Sequence, residues 1–168
     1  MIDSIQALFD DTLKDTYNAE KQFLKGMQKL MKASQTPELK QAFEKHIKET
    51  EGHIERLEKV AEMLEIKPSG KVCKAAQGLV EEAEEDLGEV QKGPLLDAII
   101  IACAQKNEHY EICAYGTLIA WAEQMEMKEV LPLLQETLEE EKAADRSLTE
   151  ASTSVNAQAN QEGRATLR

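Results

Sequence analysis

Apolar residues recur every three to four positions through four long stretches of this chain, and short breaker segments separate the stretches. The first runs through Ile5, Phe9, Leu13, Tyr17, Leu24, Met27 and Met31, with Asp3 or Ser4 placed to cap it. Ser34-Gln35-Thr36-Pro37-Glu38 interrupts the pattern. Thr36 is a natural N-cap there and Pro37 a natural first helical residue. The second stretch follows through Leu39, Phe43, Ile47, Ile54, Leu57 and Leu64, and stops at Lys67-Pro68-Ser69-Gly70. A shorter piece from about Val72 to Val90 has a thinner stripe of Ala75, Leu79, Val80, Ala83 and Leu87. Gly93-Pro94 opens the third, through Leu96, Ile99, Ile100, Ala104, Tyr115, Leu118, Trp121 and Ala122. Met125-Glu126-Met127 is a weak break before the fourth, with Val130, Leu134, Leu138 and Leu148, and Pro132 in its first turn.

Two tight hairpins joined by one long connection predict an all-α, ferritin-like antiparallel four-helix bundle, with a short fifth helix in the crossover. The 168 residues suit one domain, expected over 1–156. From about Ala157 the apolar period is lost, so 157–168 is expected to fray. The 8 Gly, 4 Pro and 4% aromatic content lack the turn signals of an all-β chain.

The halves look related. A shift of 91 residues lays the second hairpin on the first without a gap, pairing Leu30 with Trp121, Phe43 with Leu134 and Leu57 with Leu148. The same shift pairs Glu20 with Glu111 and Glu49 with Glu140.

With 20 Lys+Arg against 32 Asp+Glu, the formal net charge is −12, which argues against nucleic acid or an anionic membrane surface as the main partner. No stretch approaches the roughly 18 consecutive apolar residues of a membrane span. The N-terminus MIDSIQALFDDT is acidic where a signal peptide would be basic. Cys73, Cys103 and Cys113 are odd in number, and the last two would lie roughly 15 Å apart along one helix, beyond disulfide reach. A reducing, cytoplasmic setting is expected.

At about 100° per residue, certain polar side chains fall on the apolar stripes. Glu20 stands among Phe9, Leu13, Met27 and Met31, and Glu111 among Ile100, Ala104, Leu118 and Ala122, with Glu108 one turn earlier. His46 shares a stripe with Leu39, Leu57 and Leu64, while Glu49 and His53 border it. On the fourth helix Glu141 is central and Glu140 near the edge, although Glu139 to Glu141 also reads as a solvated run. A carboxylate buried alone costs several kcal/mol, so it must be neutralised, paired or metal-bound. Four helices offering one at matching depth point to a dinuclear site for iron or manganese, whose preferred donors are carboxylate and imidazole. The candidate ligands are Glu20, His46, Glu49, Glu108, Glu111 and Glu140, with Glu141 competing for the last place and His53 and Asp145 in reserve. Tyr17, one turn from Glu20, is a core-packing position that can also donate to a ligand.

The segments DTYNAEKQ (15–22), HIKETEGHIERLE (46–58), AAQGLVEEAEE (75–85), AQKNEHYEICAYGTL (104–118) and LLQETLEEEKAADRSLT (133–149) resemble the YciE/YciF family of bacterial ferritin-like stress proteins. The resemblance reaches to about residue 150. It implies a bundle distantly similar to rubrerythrin, commonly a homodimer, linked to stress responses, with no established reaction. The ligand pattern departs from the Glu-x-x-His rule of ferritins and rubrerythrins: Gly52 follows Glu49 by three, and Ala143 and Ala144 follow Glu140 and Glu141. The chain offers His46-x-x-Glu49 and Glu108-x-x-Glu111 instead.

Three functions fit this reading. The first is a di-iron or manganese oxidoreductase consuming peroxide or oxygen, which would need an external electron donor because the chain has no Cys-x-x-Cys. The second is iron buffering without turnover. The third is a metal-free helical stress protein acting through contacts, with the short helix at 72–90 as a dimer surface.

Overall fold

The computed structural model describes residues 2–166, which form five helices: α1 (Ile5–Ala33), α2 (Pro37–Met63), α3 (Lys74–Glu89), α4 (Pro94–Gln124) and α5 (Leu131–Thr166). Each boundary has a local cause. Ser4 caps α1, its hydroxyl accepting from the Ala7 N–H at 3.2 Å. Thr36 holds the N-cap of α2, but its side chain makes no capping bond. Asp97, fully buried in the first turn of α4, does that work from outside, accepting from the N–H groups of Gln35 at 2.7 Å and Thr36 at 2.9 Å. Both α2 and α4 end on a residue in the left-handed region, Glu65 (φ 55°) and Glu126 (φ 56°). The next N–H reaches back across each turn, Ile66 to the Ala61 carbonyl and Met127 to that of Ala122, both at 2.9 Å. This is the Schellman closure, where glycine is the usual occupant.

The Asp97 bonds put the start of α4 beside the α1–α2 turn. Therefore α4 runs antiparallel to α1 and parallel to α2. Helix pairs α1–α2, α4–α5, α1–α4 and α2–α5 pack together, which makes every neighbour antiparallel, the arrangement expected of a ferritin-like bundle. The crossover helix α3 lies over α1 and α4. Its packing side is Ala76, Leu79, Val80, Ala83 and Leu87, whereas Ala75 is exposed. Gly26 lets α3 approach, since a Cβ there would stand 3.2 Å from Val80 Cγ2.

Two expectations change. Ile5 is 38% exposed and Met31 only partly buried, each within three residues of an end of α1. Helix α5 continues past Ala157 to Thr166, so the tail does not leave the helix where its apolar period stops. Val155 is buried against the core near Leu148, and the following Ala, Gln and Glu are good helix formers.

The apolar core falls into two main bodies. One holds Phe9, Leu13, Leu57, Leu118, Tyr115 and Leu134; the other holds Met27, Leu30, Leu39, Phe43, Ile100 and Leu148. Between them lies a polar layer.

Candidate metal centre

That layer is built from all four bundle helices: Glu20 from α1, His46 and His53 from α2, Glu108 and Glu111 from α4, and Glu141 from α5. All six are buried, His46 the most accessible at 6%. Seven residues apart, His46 and His53 stand two turns apart on one face of α2, with ring centroids separated by 6.0 Å. Glu108 and Glu111, three apart, share a face of α4.

Donor atoms converge in two overlapping groups. In the first, His46, Glu108, Glu111 and Glu141 each place one ligand atom within 4.8 Å of all the others. In the second, Glu20, His53 and Glu141 do the same. Glu141 belongs to both. His46 Nε2 lies 3.1 Å from Glu108 and 3.4 Å from Glu141, and His53 Nδ1 lies 2.8 Å from Glu141 and 3.6 Å from Glu20.

These approaches are close enough for ion pairing, yet those nitrogens are not aligned for hydrogen bonds with the carboxylates. Among the described residues, eight buried side-chain nitrogen and oxygen atoms lack a hydrogen-bond partner, and seven belong to these six residues. The eighth is Asn107 Oδ1. Orphaned buried polar atoms are rare in folded proteins, and each needs a reason. Here they converge on one another, as donor atoms do around a cation.

The electrostatics agree with a strained charge balance. Burial pushes the Glu111 carboxyl well above its usual range, and the neighbouring Glu141, Glu20 and Glu108 carboxylates add to the effect. Burial raises Glu141 to about 8 even though His53 pulls the other way. For His53, burial acts downward but Glu141 and Glu20 outweigh it, carrying the imidazole up to about 10. His46 is likewise lifted well above its ordinary value by Glu108 and Glu49 against the effect of burial.

The outward nitrogens of both histidines meet a second pair of carboxylates. His53 Nε2 lies 3.0 Å from Glu140 Oε2, and His46 Nδ1 lies 3.4 Å from Glu49 Oε2. Both acids are only partly buried and stand outside the two donor groups. The His46 contact, together with Lys45, holds the Glu49 carboxyl down at about 2, against the effect of burial. Arg56 ties Glu140 to the α2–α5 seam and also bonds Thr137 at 2.8 Å and Glu136 at 3.0 Å.

Of the sequence-predicted ligands, Glu20, His46, Glu108, Glu111 and Glu141 are thus brought together, and the reserve residue His53 joins them. Glu49 and Glu140 come to the rim. Asp145 lies apart, accepting from Gln105 at 3.0 Å. Tyr17 bonds Glu58 at 2.8 Å, away from the cluster. The tyrosine that reaches a candidate ligand is Tyr115, fully buried, whose hydroxyl donates to Glu20 Oε1. Its position on the apolar stripe of α4 reads as core, and only the packing of α1 against α4 shows the bond. Cys73, Cys103 and Cys113 are all free.

Residues 4–161 match a family described as a domain of unknown function, DUF892. The chain belongs to the DUF892 family. Escherichia coli YciF is 46% identical to this DUF892 chain over 158 residues, covering 93% of it and 95% of YciF. The crystal structure of that E. coli stress protein superposes with a TM-score of 0.88 at 44% identity, over 92% of this chain and 98% of the other. YcfI of Rhodopseudomonas palustris gives 0.86 at 42% identity, over 88% and 94%. A Xanthomonas campestris protein at 20% identity gives 0.78 over 95% and 99%, a likeness of fold alone. Among the described residues, no helix is long and apolar enough to cross a membrane.

Proposed function

We propose that this DUF892 chain holds two iron or manganese ions in the bundle core and uses them to handle peroxide, oxygen or iron under stress. The observation that carries this reading is the convergence of seven orphaned buried donor atoms on one layer of the bundle. Glu141 belongs to both donor groups and would be a ligand common to the two ions. Four buried carboxylates, Glu20, Glu108, Glu111 and Glu141, match the charge of two divalent cations. Oxygen donors with one imidazole per group suit manganese and iron.

The chain's own residues prepare the site. Glu140 accepts only, so the proton between it and His53 sits on Nε2, which leaves Nδ1 to face Glu20 and Glu141. Glu49 orients His46 in the same way, turning Nε2 inward. Tyr115 holds one oxygen of Glu20 and leaves the other, Oε2, without a partner. The two apolar bodies on either side exclude bulk water. Bound iron or manganese would supply one-electron redox chemistry and polarisation of a small oxidant. Electrons for turnover would come from an external donor. The stress role follows the name of the E. coli relative.

Metal content per chain tests the reading, measured on protein purified without chelator and again after anaerobic ferrous loading. Two ions per chain are expected, and Glu20→Ala with Glu111→Ala should remove them while helix content stays. Peroxide-dependent spectral cycling with an added reductant then separates turnover from buffering. No metal under either condition would refute the centre and shift the function to a metal-free role through contacts.

A further inference from the structure

Six buried ligand candidates need a way in. On the α1–α4 side, α3 covers the bundle. Along its axis, the two apolar bodies fill the interior. The cavity that reaches the layer lies in the α2–α5 seam, which differs along its length. At the level of His53 it is closed by Arg56, which spans from α2 to Thr137, Glu136 and Glu140 of α5. At the level of His46 a cavity of about 40 Å³ opens in it.

Ala42 and Phe43 from α2 and Ala144, Ser147 and Leu148 from α5 form its walls, with His46 and Glu108 at its inner side. One water-sized molecule needs roughly 10–15 Å³ on this measure, so the cavity takes a short file of them and nothing bulkier. Ser147 is exposed at the outer end, while Glu108 is 1% exposed at the inner end. Glu49 is paired at the rim with the exposed Lys45 at 2.9 Å and reaches His46 at 3.4 Å. A carboxylate whose cationic partner is a loose surface lysine can exchange that partner for another cation, because such exposed pairs are weak.

We infer that this notch is the passage by which a divalent metal ion reaches the centre, captured by Glu49 and handed inward past His46 to Glu108, with Ala42 and Ala144 setting its bore. The inference rests on the metal-binding reading above. The passage limits the centre to small species: an ion that has shed most of its water, water itself, peroxide or dioxygen. Ala42 and Ala144 are specificity-determining wall residues and touch no metal.

Uptake kinetics test the passage. Metal-free protein is mixed with Mn²⁺, and loss of the free-ion EPR signal is followed by rapid freezing. Ala144→Leu and Ala42→Leu, one on each wall, should each slow uptake by roughly tenfold or more, because a close-packed seam has no slack for three added carbons. Final stoichiometry after prolonged incubation should equal wild type, and Ser147→Ala should load at the wild-type rate. If both leucine variants fill at the wild-type rate, the passage is overturned and the metal centre stands. If wild-type protein never takes up Mn²⁺ or Fe²⁺, the centre is overturned and the passage with it. Thermal melting identifies a wall variant that fails to fold, in which case the opposite wall decides.

Discussion

Glu140 Oε2 meets His53 Nε2 at 3.0 Å, on the ring edge opposite the one that faces Glu141. Two adjacent glutamates of α5 therefore bracket one imidazole, Glu141 from inside and Glu140 from the rim. Glu49 and His46 repeat the outer half of this arrangement. Glu49 and Glu140, which the 91-residue shift pairs, thus both lie against the outer nitrogen of an α2 histidine.

The two glutamates should respond differently to the same change. Glu141→Gln replaces the carboxylate shared by both donor groups with a neutral amide and should reduce metal content from two ions per chain to one or none. Glu140→Gln should keep two ions and weaken binding by about 10–100-fold, the usual effect of losing an outer partner of a ligand. Elemental analysis and competition against a chelator of known affinity separate the outcomes. Equal loss in both variants would place Glu140 among the ligands.

Glu20 and Glu111 were legible in the sequence because each stands in the middle of an apolar stripe, where one helix alone decides burial. Glu140 and Glu141 could not be ranked with the same certainty. Glu141 is central on its stripe and Glu140 about 100° away near the edge, but both belong to a run that also reads as solvated, and which turns inward depends on how α5 is rolled against α2. His53 borders its stripe in the same way, and its burial comes from α5 closing over it. Asp97 and Tyr115 show a different limit. Asp97 caps a helix that begins some sixty residues earlier in the chain, and Tyr115 bonds Glu20 across 95 residues. Neither contact has a local signature. The overall layout was readable because breakers and periodicity are local, and so was the antiparallel pairing, because two short turns impose it.

The left-handed residues that close α2 and α4 are sites where a side chain works against the backbone. An L-residue in that region costs roughly 1–2 kcal/mol, offset in part by the greater freedom glycine gives the unfolded chain. Glu126→Gly should therefore stabilise the protein by about 0.5–1 kcal/mol, and Glu65→Gly similarly. Chemical denaturation should show a higher midpoint with an unchanged slope for each.

Tyr115→Phe removes the donor to Glu20 and leaves a buried carboxylate oxygen without its partner. A hydrogen bond to a charged group contributes about 1.5–3 kcal/mol, so the metal-free protein should lose stability of that order. Metal stoichiometry should stay at two while affinity falls, because Glu20 remains but is less well fixed. A variant as stable as wild type would mean that water takes the place of the phenol.

The pH dependence of the metal-free protein follows from three groups. His53 is raised from 6.5 to about 10, so its stabilisation is complete below pH 6.5 and is lost as pH rises through about 10. Glu141 is raised from 4.5 to about 8, so the folded chain keeps a proton that the unfolded chain releases, and stability falls as pH climbs from 4.5 to 8. Glu49, lowered from 4.5 to about 2, acts in the other direction: its contribution is present above 4.5 and is lost as pH drops through about 2. The metal-free protein should therefore be most stable near pH 4.5 and melt at lower temperature at pH 9. Glu111→Gln deletes a buried carboxyl whose burial and carboxylate neighbours raise its pKa, so it should raise stability more at pH 9 than at pH 5. Metal binding displaces the same protons, so affinity should increase with pH, and the loaded protein should lose the alkaline decline. Melting curves from pH 4 to 10, with and without Mn²⁺, test all three statements, and a metal-free protein most stable at pH 9 would contradict the charge assignment of the whole layer.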